Sequence, residues 1–567
     1  MTGSNAMDGT PTLPHQLPNT HSGDASVRNL FADRPSLLSP PQNLFADTPF
    51  TDTLSDAAIA PTKRHFLLLG ICGAGMKALC EMLLDQGHKV TGADSQLTAE
   101  SEAQAERWAW LASGRSPDSI FITDWSSVSQ DGRCASNTDA VIVSNAIPDH
   151  ADCVTAAQKA GQPVFRLTHA LNLMLKNCRQ LCIAGTHGKT TTTAMLWKIL
   201  AGEFARAAFI GGPMLEAHRS GFFQPGRDSQ NPGATGLKRF DAGSSGGKPW
   251  AVVESCEYRN AFSSLSPDAI VLTGVERDHF DCFPDQATED AVFRSFVSKL
   301  KSPTKTSGDK FVVTDSGDRR AMAALKGLGE DICVITHSSC GVDSADWRAE
   351  NIRSVDGLTQ FEVVRSGQIE GRIQIALPGL HNVRNAMAAI ATASRIGVPF
   401  EQITQALEGF RGVRRRFEYR GEWRQMRLID DYAHHPTAIR ATLQTARAMF
   451  TGRRLIAVFE PHQISRLEQM FEEFRDSLTL ADECLILPVL AARENSTRAL
   501  CCRTSGRLVR SINLAGGRAF LLADLDQVIG RIDHAGRPGD VVITMGAGRT
   551  NQIHDEFNRR LQRDSVA

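Results

Sequence analysis

Residues 183–195 read IAGTHGKTTTTAM, and these residue types suit the binding of phosphate. Gly185 and Gly188 would let the backbone come close to an anion. A helix opening near Lys189 would add unpaired N–H groups and the positive end of its dipole. Lys189 can reach terminal phosphates, and the Thr190 hydroxyl can join a magnesium shell. The usual P-loop, G-x-x-x-x-G-K-[ST], needs glycine at position 183, where Ile183 stands. Four threonines at 190–193 open a helix poorly on propensity alone, which favours a ligand-binding reading of the stretch.

A second glycine turn, Gly70, Gly73 and Gly75, has the spacing G-x-x-G-x-G, and Asp94 closes the next apolar run. In a dinucleotide fold that is where a ribose-binding carboxylate lies, so an NAD site and a ligand-free tight turn are both open readings here. Two phosphate-binding turns suggest two phosphorylated substrates. Glu254 and Glu257 follow the apolar AVV, and GVERDHFDCF puts Asp278 and His279 just after another such run. Carboxylates and neutral imidazole beside a Lys-Thr loop suit magnesium held between protein and nucleotide oxygens. In LPGLHNVRNA, the amides of Asn382 and Asn385 beside His381 suit the edge of a base, while N-capping by Asn382 is the competing reading. GVRRRFE gathers Arg414, Arg415 and Arg416, either a surface cluster or a guanidinium that neutralises a transferring phosphoryl group. DDYAHHP ends a run with Asp430, Asp431, His434 and His435, without the H-E-x-x-H of a zincin.

Such residues need strand ends to hold them. RHFLLLGICGAGM and the run to Asp94 read as strand, glycine turn, helix, strand, and DAVIVSNAIP and PVFRL add buried strands. A second unit opens with QLCIAG and continues through AVVES, AIVLTGV, FVVT and CVITH; a third holds RLIDDY, RLIAVFEPH, ADECLILPV and GDVVITMGAG. The rhythm predicts a three-domain α/β protein with mainly parallel, doubly wound sheets, whose ligands lie beyond the strands' carboxyl ends. The expected division is a disordered, Pro/Ser/Thr-rich extension over 1–61 in which NLFAD occurs twice, then domains over 62–176, 177–413 and 414–567. A Gly/Ser/Asn-rich stretch over 219–249 reads as a surface insertion.

Composition excludes several classes. With 62 basic and 63 acidic residues the formal net charge is -1, which gives no argument for nucleic acid or an anionic membrane as partner. No uncharged apolar run approaches the roughly 20 residues of a membrane helix, and MTGSNAMDGTPTLPHQ has neither basic start nor apolar core of a secretory signal. Thirteen cysteines without C-x-x-C spacing read as thiols of a cytoplasmic protein.

Taken together, LLGICGAGM, AGTHGKTTTT, ERDHFDCF, PGLHNVRNA, RRRFE, DDYAHHPT, EPHQISR and GDVVITMGAG resemble the Mur ligase family, the ATP-dependent enzymes that build the peptide of the bacterial cell-wall precursor. The family's phosphate loop is the shorter G-T-x-G-K-[ST]-[ST], which Gly185, Thr186, His187, Gly188, Lys189, Thr190 and Thr191 match, so Ile183 is no defect. The resemblance covers roughly residues 64–555 and implies a Rossmann-like N-terminal domain, a P-loop ATPase-like central domain and a Rossmann-like C-terminal domain. It is strongest to the branch that joins L-alanine to UDP-N-acetylmuramic acid with ATP and Mg2+. A branch that joins an intact tripeptide to the same nucleotide sugar shares DDYAHHPTA.

Carried over residue by residue, Lys189 would hold the β/γ-phosphates, while Thr190, Glu254 and His279 would hold metal. Asn385 would read adenine, Arg415 would reach the γ-phosphate, and Asp430 and His434 would lie at a closing interface. Gly70, Gly73, Gly75, Met76, Asp94, Ser144 and Asn145 would take the UDP-sugar. Tyr432, His434, His462 and Arg466 would take the amino acid. Gln463 stands where many of these ligases carry a basic residue, and Arg259 and Asn260 where small or acidic residues are commoner. An NAD-dependent oxidoreductase and a non-catalytic UDP-sugar-binding protein are the readings from other classes.

Overall fold

The structure, a computed structural model, describes residues 63–94, 120–124, 138–216, 220–224, 248–301, 310–339, 341, 344–355 and 357–566. The 1–61 extension with its NLFAD repeats, and most of the 219–249 stretch, lie outside the described residues.

The first sheet holds β1 (His65–Leu69), β2 (Lys89–Asp94), β3 (Ile120–Asp124), β4 (Ala140–Val143) and β5 (Val164–Arg166) in the order β3-β2-β1-β4-β5. All four pairings are parallel. The chain reverses direction across β1 and β4, so their carboxyl ends flank a crevice of the kind that takes nucleotides in open α/β sheets.

The central sheet has ten described strands: β6 (Arg179–Ala184), β7 (Ala205–Phe209), β8 (Phe222–Phe223), β9 (Trp250–Glu254), β10 (Ala269–Leu272), β11 (Phe311–Asp315), β12 (Cys333–Ser338), β13 (Trp347–Val355), β14 (Leu358–Arg365) and β15 (Gln368–Ile375). Their order is β15-β14-β13-β12-β11-β10-β6-β9-β7-β8. The strands from β12 through β7 pair in parallel. At one edge β13, β14 and β15 form an antiparallel meander that periodicity over short half-buried runs did not reveal. At the other edge Phe222–Phe223 pairs with β7, so the 219–249 stretch is not wholly an insertion outside the fold.

The third sheet holds β16 (Glu418–Trp423), β17 (Met426–Asp431), β18 (Leu455–Phe459), β19 (Glu483–Ile486), β20 (Ala519–Leu521) and β21 (Val541–Met545), ordered β16-β17-β21-β18-β19-β20. Only the β16–β17 pair is antiparallel.

The domains are joined in two different ways. One apolar cluster runs from Phe66, Met76 and Leu79 of the first domain through Phe209 and Phe222 to Phe262 and Phe293 of the central domain. Each such side chain contributes about 1.5–3 kcal/mol on burial, so these two domains share a core. Glu81, 1% exposed, adds bonds from the backbone N–H groups of Ser220 (2.7 Å) and Phe222 (3.2 Å). The third domain instead has its own apolar clusters and meets the central domain largely through charged and polar contacts. Polar interfaces of that kind are the ones that open and close. No described helix is long and apolar enough to cross a membrane.

Candidate active site

The phosphate loop leaves β6 at Ala184 and enters the helix Lys189–Leu200. Two of its positions admit only glycine. Gly185 has φ +131° and a Cβ there would lie 2.4 Å from Thr273 Oγ1; Gly188 has φ +81° and a Cβ there would lie 2.3 Å from Asn385 Oδ1. Thr186 pins the loop to the end of the neighbouring strand, its hydroxyl donating to Glu276 O and accepting from Glu276 N, both at 2.9 Å.

Thr190 Oγ1 donates to Glu254 Oε1 at 2.9 Å, so the hydroxyl and the carboxylate at the end of β9 already face each other. Two hard oxygens side by side fit magnesium. His279, the third expected ligand, turns its Nε2 to Glu257 Oε1 at 3.3 Å rather than to Glu254, and its buried Nδ1 has no partner. The ammonium of Lys189 bonds both oxygens of Glu257 (2.9 and 3.1 Å) and the carbonyls of Gly185 and Thr186. Burial opposes the charge on Lys189, but Glu257 outweighs it and the ammonium is held above its usual range. Burial likewise works against the Glu257 carboxylate, yet Lys189 and His279 hold it below the usual range. This pair is therefore charged on both sides, and Glu257, seen in the sequence only as one acid among several, is the counter-ion of the loop lysine.

The arginine triplet resolves differently from the expectation. Arg415 has φ +60°, and its side chain turns back into the third domain. There Nη2 donates to Gly546 O at 2.7 Å and Nε lies 3.4 Å from Asp430 Oδ2. Arg416 is the one that crosses, its Nη2 donating to Thr190 Oγ1 at 3.0 Å. Both guanidinia lie over Tyr432, 5.0 and 5.1 Å from its ring centre. Asp430 is 0% exposed and accepts from Thr544 Oγ1 at 2.9 Å, so its carboxylate faces its own domain and not a nucleotide; burial pushes it up to about 6, against the pull of Arg415.

Asn385, expected at adenine, lies on the helix Leu380–Ile396 with its amide against Gly188 of the phosphate loop. That helix is capped by Gly379, and the Asn382 amide donates to Pro378 O at 2.7 Å, so the N-capping reading of Asn382 fails.

His434, His462 and Arg466 gather at the ends of β17 and β18. The His434 and His462 ring centres lie 6.1 Å apart, and Arg466 Nη1 is 3.0 Å from His462 Nδ1. Arg466, 1% exposed, donates from Nε (2.8 Å) and Nη2 (2.7 Å) to Asp278 Oδ1 of the central domain. Burial, then Arg466, pushes His434 well below the usual imidazole range and His462 down to about 3. Both rings are neutral at physiological pH. Gln463 is 0% exposed at φ +70°, and its amide is directed to the Asp281 carboxylate, which, against its burial, Arg493 and then Gln463 hold below the usual range. Arg493, which sequence reasoning missed, lies 4.2 Å over Tyr258 and 3.3 Å from Asp281.

In the first domain Gly70 has φ +84° and packs under Ser144, whose Cβ would be 2.8 Å from an added methyl. Cys72 N donates to Asp94 Oδ2 at 2.9 Å, which ties the glycine turn to the strand-end carboxylate. Ser144 and Asn145 follow β4 on the same side of the sheet as that turn. Gly73 precedes the helix Ala74–Asp85, and a Cβ added to Gly75 would lie 3.0 Å from Leu167. Met76 is a correction: its side chain is 1% exposed in the shared core, which leaves only its backbone for a ligand. Arg259 and Asn260 both take the left-handed conformation, and Arg259 Nη1 reaches Ile147 O of the first domain at 3.4 Å.

Family models match each sheet in turn: the Mur ligase family catalytic domain over residues 65–179, the Mur ligase middle domain over 183–393, and the Mur ligase glutamate ligase domain over 415–548. A UDP-N-acetylmuramate–L-alanine ligase of Roseiflexus sp. (strain RS-1) is 34% identical over 499 residues, 85% of this chain and 96% of the relative. Among solved structures, a UDP-N-acetylmuramate-alanine ligase of Thermotoga maritima shares the fold with a TM-score of 0.68 at 24% identity, covering 88% of this chain and all of that one. A murein peptide ligase of Psychrobacter arcticus gives 0.63 at 26% identity over 88% of this chain and 98% of that one. With the glycine-bound phosphate loop, the Thr190–Glu254 pair and the arginine that crosses from just ahead of the third sheet all in place, the chain belongs to the Mur ligase family.

Proposed function

We propose that this protein joins L-alanine to UDP-N-acetylmuramic acid, with ATP hydrolysed to ADP and phosphate. The observation that carries the reading is an unbroken line of contacts across the cleft: Lys189 to Glu257, Glu257 to His279, and the adjacent Asp278 to Arg466. That line connects a phosphate-binding ammonium to a buried guanidinium suited to an amino acid's carboxylate. The 34% identity with a UDP-N-acetylmuramate–L-alanine ligase supports the choice of substrates.

A carboxylate is a poor acyl donor because its leaving group would be oxide, whereas phosphate departs readily. The lactyl carboxylate of the sugar attacks the γ-phosphorus, the bond to ADP breaks, and an acyl phosphate forms. The amine of alanine then attacks the acyl carbon, and phosphate leaves with the electrons of the C–O bond. Lys189 and Arg416 supply positive charge to the transferring group from two domains, which is most of what phosphoryl transfer requires. Thr190 and Glu254 would hold magnesium, which when bound supplies further charge neutralisation at the phosphates. Arg466 orients the alanine carboxylate, and neutral His434 accepts a hydrogen bond from its amine. The glycine turn at Gly70 and the Asp94 carboxylate receive the UDP-sugar, and the reaction belongs in the cytoplasm.

The test is phosphate release from ATP by purified protein with magnesium and UDP-N-acetylmuramic acid. L-alanine and the L-Ala-γ-D-Glu-meso-diaminopimelate tripeptide are offered separately, with Lys189→Ala as control. Release with alanine alone is expected. Release with tripeptide alone would move the assignment to a murein peptide ligase, and silence with both from protein that binds the UDP-sugar would refute ligation.

A further inference from the structure

Beside the phosphate loop three side chains converge that the ligation leaves unused: His187 of the loop, Glu276 after β10, and His435 at the start of the helix Pro436–Met449. One ligand atom from each lies within 4.8 Å of the other two. His187 Nε2 is 3.0 Å from Glu276 Oε2, and His435 Nδ1 is 4.0 Å from the same oxygen. Around an ion with bonds of about 2.0–2.1 Å, tetrahedral ligands sit roughly 3.3 Å apart, so modest side-chain rotation closes the set.

Two of the three ligands, His435 and Glu276, are already oriented by a further contact, as metal ligands usually are. His435 Nε2 lies 3.1 Å from Arg277 O and donates to it, so Nδ1 is the lone-pair nitrogen; it caps the helix by accepting from Thr437 N at 3.3 Å, a long bond that an ion would displace. Glu276 Oε1 accepts from the Thr437 hydroxyl at 2.5 Å, which leaves Oε2 for the two imidazoles. The backbone of Glu276 is fixed by Thr186 on both its N–H and its carbonyl. Burial, then His187, pushes His435 down to about 4, so its ring is neutral and able to ligate; Glu276 is held at about 2 by both histidines and Thr437 against its burial. Two nitrogens and one carboxylate match zinc or cobalt and not magnesium, which demands oxygens. The partly exposed His187 and Glu276 leave room for water as a fourth ligand.

We propose that His187, Glu276 and His435 bind one divalent transition ion of the zinc class, separate from the magnesium at Thr190 and Glu254, and that this ion fastens the third domain to the central one. Two ligands come from the central domain and one from the third, so the ion would act on the polar interface that must close.

The test uses untagged, full-length, chelator-stripped protein without ATP or magnesium, titrated with Co2+. Wild type is expected to show the visible absorption of tetrahedral cobalt at one equivalent per chain. Glu276→Gln and His435→Gln should each weaken binding at least tenfold, whereas Thr190→Ala should not; His187→Asn replaces either variant if its circular dichroism shows misfolding. Small-angle scattering should show that Co2+ compacts wild type but not the variants. The proposal is overturned if wild type gives no tetrahedral spectrum, if the variants bind as wild type does, or if Thr190→Ala abolishes binding. None of these readouts involves turnover, so they stand apart from the ligase assay.

Discussion

Replacing Arg416 and Arg415 in turn by alanine separates transition-state stabilisation from fold stability at neighbouring positions. Arg416 Nη2 lies 3.0 Å from Thr190 Oγ1, where the terminal phosphates of ATP would lie if the loop binds them as expected. Removing one preorganised donor from developing charge costs about 10²–10³ in kcat, or ~3–4 kcal/mol, and an arginine in phosphoryl transfer can be worth about 10³ or more. Arg416→Ala is therefore expected to lower kcat about a thousandfold with a thermal midpoint near wild type. Arg415 holds Asp430 at 3.4 Å and Gly546 O at 2.7 Å, with the carboxylate fully buried. Breaking a buried pair costs about 3–5 kcal/mol when the remaining charge has no escape. Here Asp430 already titrates near 6, so it can take up a proton, and the expected cost falls to about 2–3 kcal/mol. In a domain of this size that is a midpoint lower by roughly 4–12 °C, with kcat within tenfold. Phosphate release under saturating substrates and a thermal melt on the same samples read both numbers. A thousandfold loss for Arg415→Ala alongside a near-normal Arg416→Ala would refute the reasoning.

Gly188→Ala places a side chain at φ +81° and 2.3 Å from Asn385 Oδ1. The left-handed conformation alone costs about 1–2 kcal/mol, so the KM for ATP should rise tenfold or more while the Kd of the UDP-sugar stays unchanged; equal effects on both would argue against a nucleotide loop. Asp430 titrates near 6 in the fold against about 3.9 unfolded. The sign is that of a raised carboxylate: its contribution is fully present below about pH 4 and is lost as pH rises through 6, close to 3 kcal/mol in all. Asp430→Asn should flatten stability between pH 4.5 and 7.5 relative to wild type, and a constant difference in denaturant midpoint would contradict the shift. Thr190→Ala should raise the magnesium needed for half-maximal activity at least tenfold, measured at fixed ATP, whereas an unchanged requirement would remove Thr190 from the metal shell.

The parts of this molecule that were legible in the sequence are those written in contiguous residues. Gly185, Gly188, Lys189 and Thr190 carry their chemistry within six positions, because the turn, the close approach and the helix start are local demands. Strand ends rich in acids and histidines were legible for the same reason. What stayed hidden depends on one dihedral angle or on contacts across long separations. The positive φ of Arg415 reverses the side-chain directions of two chemically identical neighbours, and no composition signal distinguishes them. Glu257 reaches Lys189 across 68 positions and Thr437 reaches Glu276 across 161, so neither pairing has a local signature. The β13–β15 meander escaped because its strands are half exposed and carry no ligand at their ends. The same separation bears on how the protein works. The first and central domains share an apolar core, which is costly to part, while the third is held by Asp278–Arg466, Glu276–Thr437 and Arg277–His435. Polar contacts exchange with water at little net cost, so opening should occur at the third domain, and that is the movement that would uncover Arg416, Thr190 and Arg466 together.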